Sequence, residues 1–448
     1  MIKDMTEGKP GGILWRFSLP MLLSVAFQQM YNIADSVIAG QFVGEEALAA
    51  IGASYPVTMI FMAVGIGSNI GCSVVISQLF GAKQYKEMKT AVFTSIFSIL
   101  CLSVIFTVFG TVFCGKLITM LKTPENIFPD ASLYLGVYIL GLVFLFLYNI
   151  CTGIFTALGD SNTPLIFLIA SSVGNIILDL VFVICFRMGV AGVAWATFLA
   201  QGVASLLALL FLLKRIRLIE TEGKIRMFSA SMLGRISKIA VPSILQQSFV
   251  SVGNLFIQWL INGYGSAVIA GYSAAVRLNT FAITSFSALS NGVSSFTAQN
   301  IGAQKPERVR QGLRAGLVMG VCVAVPFFIA FFIFSRHMVY LFMSTPSEQA
   351  VAVGMTFLRI VSPFYIVILV KLIMDSVLRG AGATVYFTIT TFADLVLRTV
   401  LAFVFAWYFG ETGIWASWPV GWSAASVLSV IFYLKGNWQK GIARPETK

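Results

Sequence analysis

Apolar residues run along this chain in long stretches that lack the period-two alternation of a barrel strand. Each is long enough to cross a hydrocarbon core of about 30 Å as a helix. Twelve helices are predicted, near residues 14–40, 47–79, 91–119, 131–158, 163–186, 190–213, 234–262, 268–300, 309–334, 350–378, 383–408 and 412–435. Backbone groups in lipid must be satisfied internally, so the pattern implies an all-α integral membrane protein. The segment KRIRLIETEGKIRMFSASML, residues 214–233, is the longest charged stretch. It divides the chain into an N-lobe at 1–213, a cytoplasmic linker at 214–233, a C-lobe at 234–435 and a cytoplasmic tail at 436–448.

The two halves repeat at an offset of 221–222 residues. Phe17-Ser18-Leu19-Pro20 matches Ile239-Ala240-Val241-Pro242, and Asn32 matches Asn254. Gln78-Leu79-Phe80-Gly81-Ala82 matches Gln299-Asn300-Ile301-Gly302-Ala303, and Thr123-Pro124 matches Thr345-Pro346. Leu158-Gly159 is aligned with Arg379-Gly380, and Gly189-x-x-Gly192 with Gly410-x-x-Gly413. Six spans per half is an even number, so the repeat is parallel and predicts two six-helix bundles around a central cavity. Gly65, Gly67, Gly71, Gly265 and Gly271 are expected to let helices pack closely. Pro20 and Pro242 are expected early in their helices, where proline costs little; a helix starting further upstream would make either one a kink.

Composition agrees with a membrane protein. Of 448 residues, 58% are hydrophobic and only 11% charged, against about 25% charged in a soluble domain. The net charge of +12 is unevenly placed. With both termini inside, 22 of the 30 Lys and Arg fall on the inner side and four (Lys116, Lys122, Arg187, Arg336) on the outer. Arg277, Arg359, Lys371 and Arg398 remain at membrane depth. This is the positive-inside pattern, so the basic charge reports orientation and not a nucleic-acid partner. The six cysteines lie in apolar runs without metal spacing, and are expected to be packing residues. A single histidine, His337, excludes His-rich metal sites and triads built on a buried histidine base, and no HExxH motif is present, so no enzyme is predicted. Residues 1–13 are polar ahead of a full first span, which argues against a cleaved signal peptide.

A charge at bilayer depth costs about 2.5–3.5 kcal/mol on the insertion scale, so each is a functional candidate. The buried acids are Asp35, Asp179, Asp375 and Asp394, in the first, fifth, tenth and eleventh predicted helices. Lys371 and Asp375 are spaced i, i+4, as are Asp394 and Arg398, and both pairs can bridge on one helical face. Asp35 and Asp179 have no such partner. Asn175 shares a face with Asp179, and Thr197 follows on the next helix. Two carboxylates, an amide oxygen and a hydroxyl suit a hard cation such as Na⁺ and suit a shared proton equally. The alternative is two separate acids, each in its own hydrogen-bond network. On the first helix Gln28, Tyr31, Asn32 and Asp35 form one polar stripe, which should face protein or water. A substrate cavity is expected to include Gln28, Tyr31 and Asn32, with Gln246, Gln247 and Gln258 opposite on the seventh helix.

At these residues the chain resembles the MATE (multidrug and toxic compound extrusion) family, over nearly its full length. The carriers are Trp15-Arg16-Phe17-Ser18-Leu19-Pro20, Tyr31-Asn32-Ile33-Ala34-Asp35, Gly81-Ala82, Ala157-Leu158-Gly159-Asp160-Ser161, Asn175-x-x-x-Asp179 and Gly189-Val190-Ala191-Gly192-Val193-Ala194. The resemblance is to bacterial members of the DinF-like and MepA-like type. It implies a monomeric antiporter of the bacterial cytoplasmic membrane, exporting drug-like and often cationic compounds in exchange for Na⁺ or H⁺, with no cofactor beyond the coupling ion. It places the cation ligands at Asp35, Asn175, Asp179 and Thr197, and Gln28 and Tyr31 beside the substrate cavity. Members with a C-lobe cation site carry an acid on the seventh helix, where this chain has Asn254 and Gln258. The alternative within the wider superfamily is a lipid-linked saccharide flippase, which would need an Arg-lined cavity for pyrophosphate. Only Arg277, Arg359 and Arg398 are available for that.

Overall fold

The computed structural model describes residues 3–121, 123–341, 347–436 and 438–439, without the Glu45 side chain. Lys122, the Thr345-Pro346 landmark and most of the 436–448 tail lie outside the described residues. The first half holds α1 (Pro10–Ile38), α2 (Glu45–Gly81), α3 (Tyr85–Met120), α4 (Phe128–Leu140), α5 (Leu142–Ala157), α6 (Asn162–Leu180) and α7 (Val190–Arg217). The second holds α8 (Ala230–Asn262), α9 (Ser266–Gly302), α10 (Pro306–Ile333), α11 (Ser335–Tyr340), α12 (Glu348–Val361), α13 (Tyr365–Gly380), α14 (Thr384–Phe409) and α15 (Glu411–Leu434).

Twelve membrane spans result, because two of them are broken helices. The fourth span bends by 47° between α4 and α5, at Gly141, a weak helix former. The tenth is α12 and α13 joined by a 3-10 turn at Ser362–Phe364. Pro363 explains that break, since it has no N–H to give and its ring crowds the carbonyl four residues back. Continuous helices were expected at both places. Among the described residues nine stretches pass a test of length and hydropathy, and one of these, Thr384–Leu434, contains both α14 and α15. The long helix α9 falls short because its face is polar: Ser290, Ser294, Ser295, Thr297, Gln299 and Asn300 are all buried.

α1 and α8 begin upstream of the predicted starts, so Pro20 and Pro242 lie well inside their helices and each removes one intrahelical hydrogen bond. The compact units change over within these same helices. Unit 1 is the segment through Asp4 with Leu23–Ser248, and unit 2 is Met5–Leu22 with the chain from Phe249 onward.

In unit 1, α2 meets α8 at glycine. A Cβ on Gly67 would overlap Ile244, and one on Gly71 would lie 2.6 Å from the Ala240 Cβ. The 214–233 segment is tied to α3, where Lys89 donates to the Ile219 carbonyl and Thr94 Oγ1 accepts the Ser229 N–H at 3.1 Å. In unit 2, Gly271 abuts the Ala350 carbonyl. Gly265 has open space around it and a φ of +92°, so its role is to start α9 and not to pack. The fully buried Met5 gives its N–H to Gln299 Oε1 (2.9 Å), and its carbonyl accepts from Asn300 and Arg308.

The repeat extends to the backbone. Gly44 and Gly265 precede α2 and α9 with φ of 126° and 92°, and Gly189 and Gly410 precede α7 and α15 with φ of 59° and 60°. Lys83 and Gln304 take φ of 58° and 55° just after α2 and α9. The left-handed counterpart of Gly159 (φ 76°) is Gly382 (φ 81°), not Gly380. The sequence alignment matched one glycine of a Gly-Ala-Gly run, and the turn selects the other. Gly380 ends α13 instead, packed against the Ser294 carbonyl.

The halves differ in one respect. α1 and α6 each finish in a π-helical turn, Ala39–Val43 and Val181–Cys185, and no described helix of the second half does. From Pro20 to Gly44 the first half is one residue longer than from Pro242 to Gly265, and from the start of α6 to Gly189 it is again one longer than from the start of α14 to Gly410. A π turn is how a helix takes up one extra residue, and such turns gather at functional sites.

Candidate functional site

Unit 1 brings Asp35, Asn175, Asp179 and Thr197 together. Asp35 lies one turn before the π turn of α1. Asp179 lies just before that of α6 and is fully buried, with Asn175 buried one turn back on the same face. The Asn175 amide is oriented with its nitrogen 3.1 Å from Asp179 Oδ2 and its oxygen accepting the Thr197 backbone N–H at 3.1 Å. The opposite assignment would set oxygen against carboxylate.

The Asp35 and Asp179 carboxyl groups face each other within hydrogen-bonding reach. Each has one buried oxygen, Oδ1, that receives no donor, and neither is paired to a Lys or Arg among the described residues. Two ionised carboxylates hold such a position only with a proton or a cation between them. The alternative of two acids in separate networks is therefore not what the geometry presents.

Tyr31 joins the cluster, its hydroxyl lying near Asp35, Asp179 and Thr197. Sequence reasoning missed Tyr134 on α4, whose phenol lies near both acids. Nothing in the sequence set it apart, since the same span also carries Ser132, Tyr138 and Tyr148. Tyr134 and Thr197 also line a cavity of about 10 Å³ with Tyr138, Phe198 and Gln201, room for about one water molecule. A small apolar cluster of Ile38, Ala39, Val183 and Val193 closes over the two π turns.

The residues expected around the substrate are less concentrated. Gln28 and Asn32 are exposed on α1, and Gln246 and Gln247 are half-buried on α8, all within unit 1. Gln258 belongs to unit 2 and donates to Asn262 Oδ1 at 2.8 Å.

In unit 2 one of the two expected ion pairs forms. Lys371 Nζ lies 3.0 Å from Asp375 Oδ2, both buried. Asp394 and Arg398 do not pair, although their spacing is the same: Asp394 Oδ1 and Arg398 Nε have no partner. The Arg398 guanidinium lies over the Trp418 ring, 4.4 Å from its centre, and a cation on an aromatic face competes with a carboxylate one turn away. Gly421 on α15 leaves the room that Asp394 occupies. Arg359 donates to Ser335 Oγ, and Arg277 is exposed. The arginines a pyrophosphate would need are thus dispersed or engaged.

The MatE family model matches residues 20–181 and 242–404, one copy in each half. This chain belongs to the MatE family. It is 30% identical over 437 residues to the probable multidrug resistance protein YpnP of Bacillus subtilis, covering 97% of each chain. It is 26% identical to the multidrug export protein MepA of Staphylococcus aureus, over 94% of this chain and 93% of that one. Among solved structures, MATE in complex with MaL6 superimposes with a TM-score of 0.91 at 24% identity, covering 98% of this chain and 99% of that one. A mutant of the Vibrio cholerae MATE transporter VcmN gives 0.89 at 21%, covering 95% and 97%. The protein is thus a multi-pass membrane transporter with the MATE fold of twelve spans, as the sequence motifs implied.

Proposed function

We propose that this MatE-family protein exports drug-like, cationic organic compounds from a bacterial cell in exchange for Na⁺ or H⁺, and that the coupling ion is taken at Asp35, Asn175, Asp179 and Thr197. The observation that carries this reading is the pair of facing acids, each with a buried oxygen that no protein donor reaches. The relatives named for multidrug resistance and export support the substrate class. In the proposed cycle, a cation or proton entering from outside neutralises the acid pair. This lets the end of α1 change its packing at the π turn, and the substrate is released outward. Loss of the ion inside resets the site. Exchange of one inward cation for one singly charged substrate is electroneutral and runs on the ion's chemical gradient; a membrane potential adds about 2.3 kcal/mol per net inward charge per 100 mV where more cations enter than leave. The chain acts as a monomer in the cytoplasmic membrane, with both termini inside; the distribution of Lys and Arg supports that orientation.

The test is efflux of ethidium from liposomes holding the purified protein, with Na⁺ and pH gradients imposed separately. Flux driven by one gradient and lost in Asp179→Asn is the expected result, and it names the ion. Flux that ignores both gradients, or that persists in Asp179→Asn, would overturn the reading.

A further inference from the structure

The acid pair of unit 1 and Asp375 of unit 2 are held in opposite ways. Among the described residues the acid pair has no ammonium or guanidinium partner. In unit 2 Asp375 is saturated with donors: Lys371 Nζ reaches Oδ2 at 3.0 Å, Ser429 Oγ donates to Oδ1 at 2.7 Å, and Thr390 Oγ1 lies 3.0 and 3.1 Å from the two oxygens. Lys371 Nζ also donates to Thr391 Oγ1 at 3.1 Å. Lys371, Asp375, Thr390, Thr391 and Ser429 come from α13, α14 and α15, and all are more than nine-tenths buried. The Asp375 carboxylate and the Thr391 hydroxyl are hard oxygen ligands of the kind that holds a small cation, and the position they share is filled by the chain's own ammonium, while Thr390 and Ser429 bond the carboxylate itself.

We propose that Lys371 is a tethered cation occupying an oxygen-lined position beside Asp375, so that Asp375 takes up no exchangeable ion, and that truncating this lysine opens a site for a small alkylammonium. The ammonium is a compact point charge with three rotatable donors, and a primary alkylammonium reproduces it. Lys371→Ala removes the three outer methylenes and Nζ, which is the shape of propylammonium. It also leaves Asp375 buried without its charge partner, a strongly destabilising state that a bound cation relieves. The consequence for transport is that Asp375 takes no part in ion coupling.

The experiment is thermal unfolding of the purified full-length protein against propylammonium, with tetrapropylammonium at the same ionic strength as control. Lys371→Ala is expected to melt below wild type and to recover saturably with propylammonium only. Wild type and Lys371→Ala/Asp375→Asn are expected not to respond. Should Lys371→Ala yield no folded protein, Lys371→Met, which keeps a stem of the same length and removes the ammonium group, is purified with and without ammonium ion. Rescue there supports the proposal. Absence of rescue in whichever variant folds, failure of both to be recovered even when prepared in propylammonium or ammonium ion, or an equal response by wild type overturns it. The readout does not depend on export, and the response is expected to persist in an Asp179→Asn background, so failure here and failure of the proposed coupling site are separable.

Discussion

The Asn175 amide nitrogen sits 3.1 Å from Asp179 Oδ2, one turn along α6, while the amide oxygen holds the Thr197 N–H of α7. This clamp fixes where the Asp179 carboxyl points and leaves Oδ1 turned away from it. Asn175→Ala should therefore keep coupled efflux but raise the half-saturating ion concentration by about 10–100-fold, the usual cost of losing a group that orients a ligand. Initial efflux rates across an ion titration measure this; an unchanged midpoint would remove Asn175 from the site.

Asp35→Asn and Asp179→Asn should each bring gradient-driven efflux to the level of empty liposomes. Neither should unfold the protein, because each replaces one of two facing acids with a neutral group of the same shape. Thermal unfolding and efflux on the same preparations separate loss of function from loss of fold.

Deleting Gln41, an exposed residue of the α1 π turn, should convert that turn to regular α-helix. In the second half, which is one residue shorter here, α8 runs to Asn262 without a π turn and a two-residue turn follows before Gly265. The protein is expected to fold and to lose coupling. Wild-type ion dependence in the deletion would show that the turn has no part in the site.

Gly71→Val should be among the most damaging single changes in unit 1, since even a Cβ there lies 2.6 Å from Ala240 Cβ and 2.7 Å from its nitrogen. Overpacking of this kind costs about 1–3 kcal/mol or more. Gly52→Ala, with nothing within 4 Å of its Cβ, is the matched control in denaturant or thermal unfolding.

Asp160 precedes α6, accepts the Thr163 N–H at 3.1 Å and meets Arg215 at 3.3 Å. Asp160→Ala should lower stability by about 1–2 kcal/mol, as loss of a helix cap does. Asp160→Asn should recover most of this, because an amide oxygen can still accept from Thr163.

The spans were legible because uninterrupted apolar runs leave the backbone no alternative to helix. The acid cluster was legible because an unpaired charge in such a run is costly enough to need a reason. Spacing alone was weaker. It correctly suggested Lys371 with Asp375 and wrongly suggested Asp394 with Arg398. An i, i+4 interval says that two side chains share a face, and a neighbouring helix decides whether they meet. Trp418, which draws Arg398 away, is invisible to any reading of α14 by itself. Tyr134 was missed for a related reason, since its place beside the acids is set by the bend at Gly141. The slip in the repeat offset from 222 to 221 was present in the sequence. It did not say whether the extra residue between Asn32 and Gly44 would lengthen a loop or wind into a helix.

That extra residue has a consequence for ancestry. Two halves that share positive-φ glycines at paired landmarks, Gly44 with Gly265 and Gly189 with Gly410, point to one duplicated unit. They need not have diverged through a wholesale change of surface or of fold. A difference of one residue in length, at the end of each of two helices, accompanies acids in one copy and none at the matching positions, Ile257 and Leu401, in the other. Specialisation after duplication can thus be traced here as a change in helical phase, and relatives can be sorted by counting residues between paired landmarks before any side chain is compared.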